Sequence, residues 1–436
     1  MVRERVISCV ELVEAHLTRI EEVNGALNAV VQVDAERALA SARDGDAALA
    51  RGDDTGPLHV VPFTAKDNFE AAGLPMAIGL PERAEVVPVG DATAVARMRV
   101  AGAILLGKTN CPPGGAGIET VNEVYGRTNN PYDLTRTPGG SSGGEAAIVA
   151  AGGSPCGLGT DSGGSIRLPA HFCGLATIKP TAGLVPLTGV LDEEGPIGTM
   201  ADPRTQVGPL ARFVEDVALA LRVIAGPDGS DGGVAPVPLG DPGAVEVRVL
   251  RVAVYFANKV TEPTPETRAV VESAATELRA AGATVEEALH PAGGHELTRE
   301  VWRSYDGKMR TDELYRLLRR WDAYRSEMLA FARRYDVVLC PVFACPAVPH
   351  GGTSSPELKA RDQLHDALQL DRVAVCDRPL WNLVGGASDR RPARRSPLAG
   401  RCRARGCSPP RAGARGLAAT RALTGQASCR NVDCRN

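Results

Sequence analysis

The stretch 137–170, TPGGSSGGEAAIVAAGGSPCGLGTDSGGSIRLPA, constrains this chain more than any other. It carries two glycine-rich turns, Gly139-Gly140-Ser141-Ser142-Gly143-Gly144 and Gly163-Gly164-Ser165. Each sets a serine beside residues that let the backbone take positive φ or approach a ligand closely. Between them, residues 145–151 are mostly small and apolar, which suits a short buried helix packed tightly on its neighbours. Successive N–H groups around Asp161-Ser162-Gly163-Gly164-Ser165 have the makings of a convergent set of donors, the geometry that an oxyanion requires. A single Gly-Gly-Ser is an ordinary turn, because Gly and Ser dominate turns. The whole run asks for a further reason.

Related signals lie on both sides of it. Upstream stand Pro62-Phe63-Thr64-Ala65-Lys66-Asp67-Asn68, Gly107-Lys108-Thr109-Asn110 and Gly126-Arg127-Thr128-Asn129-Asn130-Pro131; downstream stand Cys173-Gly174-Leu175, Lys179-Pro180-Thr181 and Gly208-Pro209-Leu210-Ala211-Arg212. Together these segments resemble the amidase signature family, serine hydrolases of amides that use a Ser–cis-Ser–Lys triad. The resemblance covers roughly residues 8–385. It implies an α/β fold with a mixed central β-sheet covered by helices on both faces.

Local patterns agree with an α/β layer fold. Residues 8–23 read as a helix, with Ser8 and Glu11 as a capping box and Val10, Val13, Leu17 and Ile20 at helical spacing. An Ala-rich helix is expected over 34–50, ending near Gly52. Residues 58–65 read as a strand that delivers Lys66, 93–100 as a helix and 103–106 as a short buried strand. Residues 245–255 read as a strand, Thr264-Pro265 starts a helix that stops at Gly282, and a second strand begins at Thr284. Residues 296–334 are expected to be mostly helical, packing through Trp302, Tyr305, Leu314, Leu317, Leu318 and Trp321, and 335–340 reads as a buried strand.

One motif misleads. Residues 102–109, GAILLGKT, match the phosphate-binding loop pattern in every position. That loop needs a flexible turn after a strand and a helix opening at its lysine. Here the variable positions are Ala, Ile, Leu and Leu, which favour the strand itself, and Cys111-Pro112-Pro113 would break a helix opening there.

The apolar share of 44% supplies an ordinary soluble core, and no apolar run approaches a membrane span. The N-terminus Met1-Val2-Arg3-Glu4-Arg5 is charged and leads into an amphipathic segment, unlike a signal peptide. Eleven scattered cysteines, an odd number, fit reduced thiols, so a cytoplasmic location is expected.

The net charge of −3 hides a division. Residues 387–436 carry twelve Arg, no Lys and only Asp389 and Asp433, a local balance of +10 that leaves −13 for the rest. After residue 386 helical and alternating patterns vanish, and the family's further strands are not visible. The Arg/Pro/Ala/Gly/Cys-rich text reads as a GC-rich coding region taken out of frame. The expected domains are therefore 1–386, a C-terminally incomplete catalytic domain, and 387–436, a disordered basic tail. Two alternatives for the tail are phosphate contacts to nucleic acid through its arginines and a zinc site at Cys402, Cys407, Cys429 and Cys434, whose four-residue gaps are loose for zinc.

Amide hydrolysis needs a nucleophile, a group that takes and returns a proton, and donors for the oxyanion. A serine hydroxyl must be activated. Of seven histidines, His171 lies nearest the central stretch, six residues beyond Ser165, and no spacing supports a Ser-His-Asp arrangement. A lysine made neutral by burial is the other option, and Lys66 ends an apolar strand. The resemblance assigns the roles. Ser165 matches the nucleophile, Ser141 the cis-serine that shuttles the proton, and Lys66 the general base and acid. Backbone N–H groups of Ser162, Gly163, Gly164 and Ser165 match the oxyanion hole, with Ser142, Asp161 and Arg167 in support.

The resemblance implies neither metal nor organic cofactor, and a small-molecule amide as the partner, with a homodimer as the candidate assembly and no nucleic acid. Within the family the expected reading is a stand-alone amidase. The runner-up is the glutaminase component of an aminoacyl-tRNA amidotransferase, and a third reading is a catalytically dead remnant.

Overall fold

The structure, a computed structural model of the chain, describes residues 1–53, 55–257, 261–304, 309–354 and the backbone of 384–385. Its elements run α1 (Cys9–Leu27), β1 (Val30–Val33), α2 (Ala35–Arg51), β2 (Pro62–Lys66), α3 (Thr93–Val100), β3 (Ile104–Thr109), β4 (Val121–Asn122), β5 (Gly126–Arg127), α4 (Gly143–Ala150), β6 (Cys156–Asp161), α5 (Arg167–Cys173), β7 (Ala176–Thr177), β8 (Gln206–Ala211), α6 (Val214–Ile224), β9 (Arg251–Val254), α7 (Pro265–Ala280), β10 (Thr284–Glu287), α8 (Gly294–Ser304), α9 (Thr311–Ala332), β11 (Val337–Leu339) and β12 (Val384–Gly385). The basic segment 387–436, with both alternatives raised for it, lies outside the described residues.

The main sheet is mixed, in the order β1-β3-β2-β6-β8-β7-β12. Its centre, β3-β2-β6, is parallel, while β1, β8 and β12 run antiparallel to their neighbours. Strands β2, β3, β6 and β8 are buried along their whole length, so both faces must be covered. The period-2 alternation of a strand divides their side chains between two cores. Phe63, Leu105, Leu158 and Val207 face Val95 and Met98 of α3 and Val217, Leu221 and Ile224 of α6. Ile104, Leu106 and Leu210 face the other way, onto Val13 and Ile20 of α1, Ala42 of α2, and Ala146, Ile148 and Val149 of α4. The expected mixed sheet with helices on both faces is what the chain forms.

Helix α1 begins as read. Glu11 N–H donates to Ser8 Oγ at 3.0 Å while Ser8 N–H donates to Glu11 Oε2 at 2.7 Å, closing the capping box. The helix runs to Leu27, four residues past the expected end, where Asn28 turns left-handed with φ 50°. Helix α2 stops at Gly52, φ 77°. The strand read over 58–65 is shorter at its start, because residues 58–61 form a turn in which Val60 takes φ 58°. GAILLGKT is strand rather than phosphate loop, and Lys108 is buried at the end of it.

Strands β10, β9 and β11 form a separate parallel sheet, with α7 linking β9 to β10 in the expected βαβ unit. Only Arg251–Val254 of the strand read over 245–255 is paired in a sheet; residues 247–249 form a 3₁₀ turn, and among the described residues the pairing of β9 goes no further than the four residues that β10 spans. Residues 296–334 are mostly helical as expected, divided between α8 and α9. Leu317 and Trp321 are buried, whereas Leu318 is exposed because it lies one residue off their face. Tyr305 and the side chain of Trp302 lie outside the described residues.

Candidate active site

Parallel strands deliver their C-terminal ends to one side of a sheet, which is where open α/β folds gather their chemistry. Here β2 ends in Lys66, β3 in Thr109 and β6 in Asp161. The turn before α4 supplies Ser141 and Ser142, and the turn before α5 supplies Ser162 to Ser165. The two turns are tied together: Ser142 N–H donates to the Ser165 carbonyl at 3.0 Å, and Ser142 Oγ to the Thr160 carbonyl at 3.3 Å.

The serine turn is shaped by close backbone contacts. The Gly140–Ser141 peptide is cis, and Gly139 has φ 85°. A Cβ at Gly140 would stand 2.7 Å from the Gly117 carbonyl oxygen and 2.9 Å from Glu119 N, so only glycine allows residues 117–119 to lie against it. Thr120 Oγ1 donates to the Gly139 carbonyl at 2.9 Å and accepts from Gly143 N–H at 3.1 Å.

Lys66 is 1% exposed, and its Nζ lies 2.7 Å from Ser141 Oγ and 2.8 Å from Thr160 Oγ1. Burial lowers its amine from 10.5 to about 8, against an opposing pull from Cys111 and Asp161. A carboxylate in hydrogen-bond contact would have held it as an ammonium; among the described residues its hydrogen-bond partners are both neutral hydroxyls. Next to it, Asp67 and Lys108 form an ion pair at 3.0 Å with both side chains fully buried.

Asp161 organises the second turn. Its carboxylate accepts from Gly164 N–H at 2.7 Å, Ile166 N–H at 3.1 Å and Arg167 N–H at 3.2 Å. The Arg167 guanidinium grips the same carboxylate in bidentate fashion, at 2.9 and 2.8 Å. This corrects one expectation. The N–H of Gly164 is directed at Asp161 rather than at the site. Ser165 itself is partly exposed.

Histidine takes no part among the described side chains. His171 faces the Cys345 carbonyl at 3.0 Å, with burial depressing its pKa, and His59, His290 and His350 lie against Cys9, Pro291 and Leu134. No group of three or more His, Cys, Asp or Glu able to hold a metal occurs among the described residues.

Three further residues were not singled out in the sequence. Thr160 contacts Lys66 and Asn68 contacts Thr160, and Glu145 lies beneath the site, fully buried, accepting from the hydroxyls of Thr64 and of Thr109, the latter at 2.8 Å. Burial pushes the Glu145 acid up to about 8. A carboxyl between small apolar residues in GGEAAIVA was the available signal, since a buried acid needs partners. The pairing of β2 with β6 that brings Thr160 to Lys66 has no local signature.

Comparison with known proteins agrees with this architecture. The family model described as Amidase matches residues 11–302. Over 288 residues the chain is 43% identical to the A-subunit of the glutamyl-tRNA(Gln) amidotransferase of Roseiflexus sp. (strain RS-1), an alignment spanning 65% of this chain and 58% of that protein. The chain thus covers little more than half the length of that relative. Among solved structures, a member of a vestigial complex described as revealing the origins of an s-triazine catabolic enzyme superposes with a TM-score of 0.73 at 29% identity, covering 85% of this chain and 87% of that one. A bacterial aryl acylamidase superposes with a TM-score of 0.69 at 27% identity, covering 80% and 79%. With the family model spanning most of its length, the chain belongs to the amidase signature family.

Proposed function

We propose that this chain hydrolyses a carboxylic amide through a seryl acyl-enzyme, with Ser165 as nucleophile, Ser141 as proton shuttle and Lys66 as base. The observation that carries the reading is the buried Lys66 amine, 2.7 Å from Ser141 Oγ and lowered to about 8, so that a neutral base is accessible near physiological pH. Neutral Lys66 takes the proton of Ser141, Ser141 takes that of Ser165, and Ser165 Oγ attacks the amide carbon. The N–H groups of Ser162, Gly163 and Ser165 face the developing oxyanion. The C–N bond then breaks as the proton returns through Ser141 to the leaving nitrogen, and water hydrolyses the ester by the same relay. We place the chain in a reducing, cytoplasmic setting, in keeping with the odd number and scatter of the cysteines in its sequence.

A fluorophosphonate should label purified protein on a single peptide containing Ser165, and Ser165→Ala should lose both label and amide turnover. Labelling at another serine, or turnover retained in Ser165→Ala, overturns the assignment.

A second reading has its own support. The identity to the amidotransferase A-subunits favours a glutaminase that passes ammonia to a partner. Ammonia release from glutamine that rises when partner proteins are added would select it; turnover of simple aryl or alkyl amides by the isolated chain would select the stand-alone amidase.

A further inference from the structure

The geometry around Lys66 points to a device that aims its lone pair. We propose that Thr160, held by Asn68, is a positioning residue that fixes the Lys66 amine with one N–H on Thr160 and the remaining valence on Ser141. The inference rests on the triad reading above. Asn68 Nδ2 lies 3.1 Å from Thr160 Oγ1 and 3.3 Å from the Leu191 carbonyl. A carbonyl can only accept, so the amide of Asn68 is oriented with its NH₂ group inward, and Thr160 must accept from it. One lone pair of the Thr160 hydroxyl is thereby occupied. Thr160 Oγ1 also lies 2.8 Å from Lys66 Nζ.

A neutral amine has two N–H groups and a single lone pair. Were the Thr160 hydroxyl to donate to that lone pair, Lys66 could not accept a proton from Ser141. Accepting from Asn68 leaves the Thr160 hydroxyl one lone pair and its own proton. With that lone pair turned to the amine, as the proposal requires, Lys66 donates to Thr160 and keeps its own lone pair for the Ser141 hydroxyl, 2.7 Å away. When the proton has moved from Ser141 Oγ to Lys66 Nζ, the ammonium keeps the Thr160 oxygen as a partner. All the participants are at least nine-tenths buried: Lys66 is 1% exposed, Asn68 4%, Thr160 4% and Ser141 1%. Bulk water therefore does not replace a missing partner. Gly115 lies over the amine on a further side, where a Cβ would stand 3.6 Å from Nζ.

The charged and titratable groups around Lys66 are Asp161 from β6, Cys111 beyond β3, and the Asp67–Lys108 pair between β2 and β3. Cys111 stays a thiol throughout the working range, since burial raises it to about 12. Changing Thr160 leaves all of these in place.

The test is a set of pH–rate profiles on the full chain with a chromogenic anilide. Thr160→Val keeps the shape and removes the hydroxyl. Measured on the alkaline plateau, its kcat should fall roughly 10- to 100-fold with KM little changed, the loss expected for one hydrogen bond to a charged group. Its acid limb should move to lower pH, because the ammonium loses a partner. Thr160→Ser should restore both limb and rate to within about threefold, and Asn68→Ala should shift both in the direction of Thr160→Val, by less. A Thr160→Val profile that superposes on wild type overturns the proposal, as does a rate loss with an unmoved limb, which a merely structural role would give. Lys66→Met is the control: if it retains the wild-type limb, the triad reading fails and this inference with it. If Lys66→Met is inactive while Thr160→Val matches wild type, the positioning role alone fails.

Discussion

Replacing Lys66 by Met should separate activity from stability. The amine is fully buried, and its shift from 10.5 to about 8 corresponds to roughly 3 kcal/mol of unfavourable burial of the charged form. At pH 7 the folded wild type carries that cost, and Met, which is similar in length and apolar, does not. Against it stand the hydrogen bonds to Ser141 and Thr160, about 1 kcal/mol each net. The variant should therefore be as stable as wild type at pH 7, or about 1 kcal/mol more stable, while its amide turnover falls by three orders of magnitude or more. The sign of the pH dependence follows from proton counting. Between pH 8 and 10.5 the unfolded lysine binds more protons than the folded one, so wild type gains stability with rising pH and the Met variant lacks that gain. Urea unfolding of both proteins from about pH 6 to 11, with initial rates measured alongside, provides the comparison. Stability curves that run parallel across pH 8–10.5 would refute the reasoning, as would a Met variant destabilised by several kcal/mol at pH 7.

Three further outcomes are expected. Lys108→Met should destabilise by about 3–5 kcal/mol in urea unfolding, because it strands the Asp67 carboxylate in the core, whereas Lys108→Met combined with Asp67→Leu should recover much of that loss. Arg167→Lys should lower kcat roughly 10- to 100-fold with little change in thermal midpoint, since a single ammonium cannot reproduce the two-point grip on Asp161 that steadies the Ser162–Ser165 turn; a wild-type kcat would refute that role. Gly157→Ala should abolish soluble expression, because its Cβ would run into Glu145 Oε1; soluble protein with a wild-type thermal midpoint would show that the core relaxes around it.

What the sequence revealed was what is encoded locally. The capping box of Ser8 and Glu11, the stop at Gly52 and the start at Thr264-Pro265 each need only a few neighbouring residues, and each appears where it was expected. The proposed triad positions were legible only through the resemblance, because Lys66 and Ser141 are 75 residues apart and meet through strand order rather than spacing. Strand β1 was missed: Val30–Val33 is four residues long, contains Gln32, and owes its existence to pairing with β3. The β-branched run over 245–255 misled in the opposite direction, since propensity without a partner strand yields 3₁₀ turns. Gly164 was expected among the oxyanion donors, and the claim of Asp161 on its N–H emerges only from the folded turn.

The buried acid beneath the site has a consequence for where this protein works. Glu145 keeps its proton in the fold up to about pH 8 but loses it near 4.5 when unfolded, so its contribution to stability drains away as pH climbs from 4.5 to 8. Lys66 begins to return stability only above about 8. The two opposing slopes meet in a trough at the pH where half of the lysine is competent as a base. The joint contribution of these two groups is thus smallest where Lys66, on the proposed reading, becomes a base, so relief at Glu145, in the scaffold, would add stability at alkaline working pH without touching the proposed triad.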